Sequence, residues 1–408
     1  MDKKPEKLVP EVRFKGFTDD WEQRKLRKVA CINPKTNIPD NFKYVDLESV
    51  VGTSLIKAKL TTKQLAPSRA QRVAKKGDIF YQTVRPYQKN NFLFDINNYD
   101  FQYVFSTGYA QLRSEINNYF LFSYLQRQRF VNLILRRSTG TSYPAISSKD
   151  LSEIKIIFPR NSKEQENIGK IINLIDALIT LQQRKLELLK EIKKGLLQKM
   201  FADKSKFPIL RFEGFHNEWE QRKLKNVYQK IGNAFVGTAS PYYVDAGHFY
   251  LESNNIKNGQ INRNHEVFIN NSFYQKQSNK LLHTGDLVMV QSGHVGDTAV
   301  ITQEYNNSAA HALIMFRNPK DKFLSDYLNF YFQNTSAKNK INVLAIGNTI
   351  RHVLASDMSR FSVYFPNKDE RKYISNLLLK LQYTITLQQS KISQLTILKK
   401  YLLQKLFI

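Results

Sequence analysis

Apolar residues recur along this chain in two rhythms. The first is a 4-3 spacing within two proline-free stretches, residues 164–201 and 370–407. Positions 168, 172, 175, 179, 182, 186, 189, 193, 196 and 200 read Ile, Ile, Ile, Ile, Gln, Leu, Leu, Lys, Leu and Met. Adding 206 to each gives Ile, Leu, Leu, Ile, Gln, Ile, Leu, Lys, Leu and Leu. That spacing belongs to a helix that buries one seam against a partner helix. Each helix would span about 57 Å at ~1.5 Å per residue. The polar interruptions coincide, Gln182 with Gln388 and Lys193 with Lys399. They are predicted to set the register of two long helices paired as an antiparallel coiled coil.

The second rhythm is short. Apolar runs at residues 78–83, 154–158, 286–290, 298–302 and 361–365 are punctuated by Gly, Asn and Pro, and predict strands. Residues 119–135 and 324–332 carry helical spacing. These mixed stretches precede the two long helices. The expected fold class is therefore α+β, with two tandem pseudo-symmetric globular domains of mixed α/β content separated by the two long helices. The expected boundaries are domain 1 at 1–157, spacer helix 1 at 158–207, domain 2 at 208–364 and spacer helix 2 at 365–408.

The tandem is written into the sequence. Residues 10–29, PEVRFKGFTDDWEQRKLRKV, return at 208–227 as PILRFEGFHNEWEQRKLKNV, identical at twelve of twenty positions. The period is too long for a solenoid and marks two domain-sized copies. Both copies also end alike. Gly140-Thr141-Ser142, Lys149-Asp150-Leu151 and Phe158-Pro159 match Gly347-Asn348-Thr349, Ser356-Asp357-Met358 and Phe365-Pro366. Phe14, Phe17 and Trp21 recur as Phe212, Phe215 and Trp219, and are expected to pack where each domain joins its helix. Residues shared by the copies should build, and residues that differ should discriminate.

Charge narrows the partner. The 62 Lys and Arg outnumber the 35 Asp and Glu, for a net charge of +27, which favours a polyanion. The first domain holds the larger cationic excess, and the second is richer in Asn. Cys31 is the only cysteine, which excludes an intramolecular disulfide and a Cys-rich zinc site. No apolar run is long enough to span a membrane, and the first ten residues lack a secretory h-region, so a cytoplasmic location is expected.

Catalytic signatures are missing. There is no Walker A loop, no H-E-x-x-H and no adenine-methyltransferase N-P-P-[YF] loop. The nearest decoy is Glu153-Ile154-Lys155, an E-x-K of the kind nucleases use to hold Mg²⁺. Its counterpart, Arg360-Phe361-Ser362, does not keep it, so a surface strand is expected there. No catalytic residue, metal site or cofactor is assigned to this chain.

Two runs per domain carry chemistry suited to nucleic acid. In the first domain these are Gln82, Thr83, Arg85, Lys89 and Asn90, then Arg136, Arg137, Thr141, Ser142 and Tyr143. In the second they are Gln291, Ser292 and His294, then Asn348, Thr349, Arg351 and His352. Amides suit adenine edges, Arg suits guanine, and Lys and hydroxyls suit phosphates. A basic run at residues 64–76 is equally well read as a solvated face.

The order of parts resembles the DNA specificity (S) subunit of type I restriction–modification enzymes. The resemblance rests on the layout of domain, long helix, domain, long helix. It also rests on Gly77-Asp78-Ile79 with Gly285-Asp286-Leu287, on VQSGHVGDTAVI at 290–301, and on the shared exit leading to Glu164-Gln165. The second copy departs, with Glu370-Arg371. The resemblance implies double-stranded DNA as partner, each domain being a target recognition domain for one half of a bipartite asymmetric site. It further implies helices that set the gap and dock two methyltransferase subunits, with restriction subunits in the full complex. S-adenosylmethionine, ATP and Mg²⁺ would belong to those partners. Two alternatives stay open: a basic scaffold binding RNA or DNA without sequence specificity, and a standalone nuclease centred on Glu153.

Overall fold

The structure is a computed structural model that describes residues 8–203, 205–347 and 351–408. It divides into two compact units, Met1–Gln183 with Ser390–Ile408, and Arg184–Gln389.

In the first unit, Lys59–Thr62, Asn41–Val45, Tyr103–Ser106 and Ala70–Val73 make one four-stranded sheet, in that order. Ala30–Ile32, Tyr109–Ser114, Ile79–Gln82 and Phe92–Leu93 make the other. Asn41–Val45 and Tyr103–Ser106 run parallel. Val45, Phe80, Phe94, Phe105 and Tyr109 form a shared core cluster, in which Phe80 and Phe105 stack at 3.6 Å. The second unit repeats the plan. Tyr228–Asn233, Leu313–Pro319, Leu287–Val290 and Thr298–Val300 form one sheet, and His248–Leu251 pairs parallel with Ala309–Ala310.

The Gly-Asp motif proves to be a turn that starts a strand. Gly77 and Gly285 have φ of 90° and 92°, a region that favours glycine. Asp78 and Asp286 are buried, and each carboxylate accepts the N–H three residues earlier, from Lys75 at 2.8 Å and His283 at 2.9 Å. Asp78 also accepts two 2.9 Å bonds from Arg113. Among the described residues Asp286 has no such bidentate cation, and burial raises its pKa.

The repeated opening segment latches each domain onto its long helix. Glu22–Lys25 pairs antiparallel with Lys155–Phe158, and Glu220–Lys223 pairs likewise with Ser362–Phe365. Buried Glu164, in the first turn of the helix Ser162–Lys199, accepts two bonds from Arg13 (2.7 and 2.9 Å) and one from the Trp21 indole (3.4 Å). Glu370, in the first turn of the helix Lys368–Lys405, does the same for Arg211 (2.6 and 2.8 Å) and Trp219 (3.1 Å). Gly169 permits the close approach of the first helix to its domain. A Cβ there would lie 2.6 Å from the Phe120 amide.

Each unit contains the start of one long helix and the end of the other. In the first, Ile168 and Ile172 share a core with Leu406, Phe407 and Trp21. Asp176 meets Lys399 at 2.5 Å. In the second, Leu197, Met200 and Phe201 share a core with Ile374, Leu378 and Trp219. Positions rise along one helix as their partners fall along the other, so the segments are antiparallel within each unit.

The polar positions of the seam differ between units. Lys399 has a carboxylate partner, whereas Lys193 donates to the amide oxygens of Gln333 and Gln382, each at 2.6 Å. Position 382 corresponds to Asp176 (176 + 206). Lys193 makes no ion pair among the described residues, and its pKa is pulled from 10.5 to about 8 by burial, with Lys338 adding to the effect. Below about pH 8 it is charged in both folded and unfolded chain, and the burial cost is fully present. Between about 8 and 10.5 the unfolded chain binds more protons, so this residue makes stability rise with pH. Gln382→Asp should stabilise the second unit at pH 7 by about 1 kcal/mol. It should also flatten that rise, as denaturation at pH 7 and pH 9.5 would reveal. An unchanged pH profile would refute the assignment. Gln182 is half-buried and Gln388 is buried.

Two expectations are corrected. Residues 119–135 form not one helix but two, Asn118–Leu125 and Gln128–Leu135, because Arg127 adopts an extended backbone (ψ 142°). Glu153 lies not on a strand but at the C-terminal cap of the short helix Ser148–Ser152. It is engaged by Lys25 at 2.5 Å and Arg27 at 2.8 Å. Among the described residues no cluster of three metal-binding side chains occurs, and no helix is long and apolar enough to cross a membrane.

Candidate nucleic-acid interface

Strand Ile79–Gln82 ends where the first candidate run begins. The loop beyond it holds two non-glycine residues in the left-handed region, Arg85 (φ 54°) and Lys89 (φ 55°), flanking the turn Pro86–Gln88. Such backbone costs of the order of 1 kcal/mol per residue and persists only where its surroundings hold it. Here the second candidate run holds it. Val84 bridges Ala145, the Arg85 amide donates to the Pro144 carbonyl at 2.8 Å, and Thr139 bridges Ala145. Two runs some 50 residues apart in sequence thus become one surface.

The second unit joins its runs at the matching place. Ser292 bridges His352, Ile346 bridges His352, and the Val353 amide donates to the Gln291 carbonyl at 3.0 Å. The Ser292 hydroxyl and His352 Nδ1 lie 2.5 Å apart. The framework is the same in both units, and the side chains on it are not.

The candidate side chains divide by exposure. Arg136, Arg137, Thr141, Ser142 and Tyr143 are exposed, and the Arg85 guanidinium lies 4.3 Å from the centre of the Tyr143 ring. Asn90 accepts from the Gly52 amide at 2.9 Å. Gln82 and Thr83 are buried instead. Thr83 donates to the Gly108 carbonyl at 2.8 Å, and the Gln82 amide donates to Gln88 Oε1 at 3.0 Å. Both support the loop from inside. The buried Gln82 Oε1 has no partner among the described residues, and Gln82 lines a cavity of about 610 Å³ with Arg69, Arg85, Gln88, Asn90 and Tyr143. Arg69, from the basic run at 64–76, and Gln88, within the first candidate run, join the site here because distant strands bring them together.

In the second unit, Arg351 and His352 are exposed, and Arg351 donates to the Asn342 carbonyl at 3.0 Å. His294 is exposed, yet its Nε2 lies within 3.1 Å of the Ser253 carbonyl and 3.3 Å of the Ile256 carbonyl, which points it back towards the domain. Asn348 and Thr349 lie outside the described residues. Lys89 stands apart from the other residues of its run. It is half-buried, and its pKa is lowered first by that burial and then by Lys399 and Lys400.

Comparison with known proteins agrees with this architecture. A family profile described as "Type I restriction modification DNA specificity domain" matches residues 18–194 and again 191–396. The MjaVIII specificity subunit of Methanocaldococcus jannaschii, a type I restriction enzyme subunit, is 21% identical over 279 residues. That match covers 66% of this chain and 65% of the relative's length. The HindI specificity subunit of Haemophilus influenzae is 26% identical over 193 residues, 45% of this chain and 41% of that protein. In fold, the chain matches the type I restriction–modification S subunit from M. genitalium with a TM-score of 0.64 at 14% identity, covering 98% of this chain and 99% of that one. A chain from a type I R-M system, solved to describe complex assembly and conformational transition, matches with a TM-score of 0.54 at 19% identity over 95% and 97%. The chain belongs to the type I restriction–modification DNA specificity family and carries its specificity domain twice.

Proposed function

We propose that this chain is the sequence-reading subunit of a type I restriction–modification complex. Each globular domain reads one half of a bipartite, asymmetric double-stranded DNA site, and the paired helices set the gap between halves. One observation carries the proposal. Both domains join the same two loops on the same framework, yet the side chains differ, Arg85, Tyr143 and Arg136 in one and Ser292, Arg351 and His352 in the other. A duplicated scaffold with divergent loops suits a target whose halves differ.

The long helices present apolar residues to solvent. Leu174, Leu178 and Leu181, and Leu188 and Ile192, follow helical spacing and are exposed. This supports docking of methyltransferase subunits on the helices, with restriction subunits joining the larger assembly. Adenine methylation and ATP-dependent cleavage would reside in those partners, together with S-adenosylmethionine, ATP and Mg²⁺.

Methylation mapping of a host genome with and without this gene should reveal one bipartite motif that depends on it. Arg85→Ala should cost about 1–3 kcal/mol of discrimination at one position. It should relax only the half-site read by the first domain. Absence of any gene-dependent bipartite motif would sink the proposal, and equal relaxation of both halves would overturn the assignment of Arg85.

A further inference from the structure

The break between helices Asn118–Leu125 and Gln128–Leu135 faces a cavity of about 660 Å³ in the first unit. The helix Gln128–Leu135 begins there without a side-chain cap, because its N-cap residue is Arg127. No side chain takes up its first amides, and a helix start favours negative charge. Lys89, Arg129 and Lys400 line the same cavity and make no ion pair among the described residues. No Asp or Glu side chain lines it. Gln126 lines it too, 7% exposed, and its Nε2 has no acceptor. Arg127 is already committed, 3.8 Å from the Tyr124 ring centre and donating to the Ile408 oxygen at 2.6 Å.

The second unit has the same break and closes it. Asn334 stands where Arg127 does, accepting from the Ser336 amide at 2.7 Å and donating to the Leu197 carbonyl at 2.6 Å. Gln333 stands where Gln126 does, accepting from Lys193 at 2.6 Å and donating to the Asn329 carbonyl at 3.0 Å. In the first unit the lysine matching Lys193 is Lys399, and it turns to Asp176. Gln126 is left with a buried donor that has no acceptor among the described residues, and the helix start with no side-chain cap. Three cations and a helix start crowd this cavity, and the Ile408 oxygen that also lines it is taken up by Arg127, so the lining suits an oxyanion.

We propose that this cavity binds a phosphate group, a site the second unit does not have, and that the backbone of bound DNA supplies the phosphate. Lys89 ties the site to the reading loop, four residues beyond Arg85. The DNA source rests on the function proposed above, but the affinity for phosphate does not.

The test uses the full chain at constant ionic strength, replacing chloride with inorganic phosphate. Phosphate should raise the melting temperature by about 1–3 °C. Lys89→Gln and Lys400→Gln should each reduce the rise. Lys194→Gln, which alters the matching exposed lysine of the other helix, should leave it intact. No rise, or an equal rise in all four proteins, would overturn the site whatever the chain does with DNA. A second arm measures affinity for a 30-base-pair duplex against salt. A slope shallower by about 0.9 in the Lys89 and Lys400 variants supports DNA as the source. An unchanged slope with the phosphate response retained overturns that source and assigns the site to a free phosphate ester. Loss of sequence preference with the phosphate response intact would refute the reading function and leave the site supported.

Discussion

Replacing Phe407 with Ala should destabilise the first unit by about 3–5 kcal/mol, as expected for a buried aromatic ring. Phe407 is 4% exposed and packs against Phe120, Tyr124 and Trp21, with ring centres 5.3, 6.0 and 6.5 Å apart. These partners lie nearly three hundred residues or more earlier in the chain. The residue closes a core begun by the opening segment, so its loss acts on the whole unit rather than on a helix end. Hydrogen exchange should therefore quicken across 118–125, while the amides of 324–333 keep their protection. Ile397→Ala on the same helix removes a side chain that is 65% exposed and should cost well under 1 kcal/mol. Equal effects of the two substitutions would show that Phe407 does not hold the core.

The 4-3 seam announced both helices to within a few residues, since periodicity is a local signal. It treated ten seam positions alike, however, and the structure does not. Ile168, Ile172 and Ile175 are buried in the first unit and Met200 in the second, while Leu196 is only partly buried and its neighbour Leu197, off the predicted seam, is buried. Which core receives a seam residue depends on long-range packing that spacing does not encode. The strands at 79–82 and 287–290 were legible because Gly-Asp turns precede them. The split of residues 119–135 was not, because the polar run Gln126-Arg127-Gln128-Arg129 reads equally well as the solvent-facing turn of one continuous helix. For the candidate interface, composition singles out two runs in each domain but not their meeting in space. It depends on single bridges between residues 84 and 145, and 292 and 352. Burial then separated Gln82 and Thr83, which support the loop, from Arg136 and Tyr143, which face outward. The opening repeat was legible as structural for a sound reason. Residues that bind a common helix have no cause to diverge, and Arg13, Trp21 and Glu164 match Arg211, Trp219 and Glu370 bond for bond.

That latch carries the other large effect. Glu370→Ala should cost the second unit about 3–5 kcal/mol, since removing one member of a buried pair strands the other. Glu370 is fully buried, and its oxygens take three bonds from Arg211 and Trp219. The Arg211 side chain is itself only 14% exposed, so water would not readily replace the carboxylate. The pair of Lys206 with Glu218 is 57% and 58% exposed, and Glu218→Ala should leave the unfolding midpoint nearly unchanged. Changing both latch partners to apolar residues of similar volume should restore much of the loss, because no charge is then left stranded. The two tryptophans supply the readout, one in each unit. In a Trp21→Phe background, urea denaturation followed by Trp219 fluorescence reports the second unit alone. The midpoint should fall sharply in Glu370→Ala and recover in the double substitution. If the single variant unfolds as the parent does, the carboxylate is not what fixes the domain to its helix. The shared opening segment would then need another reason to be the same in both copies.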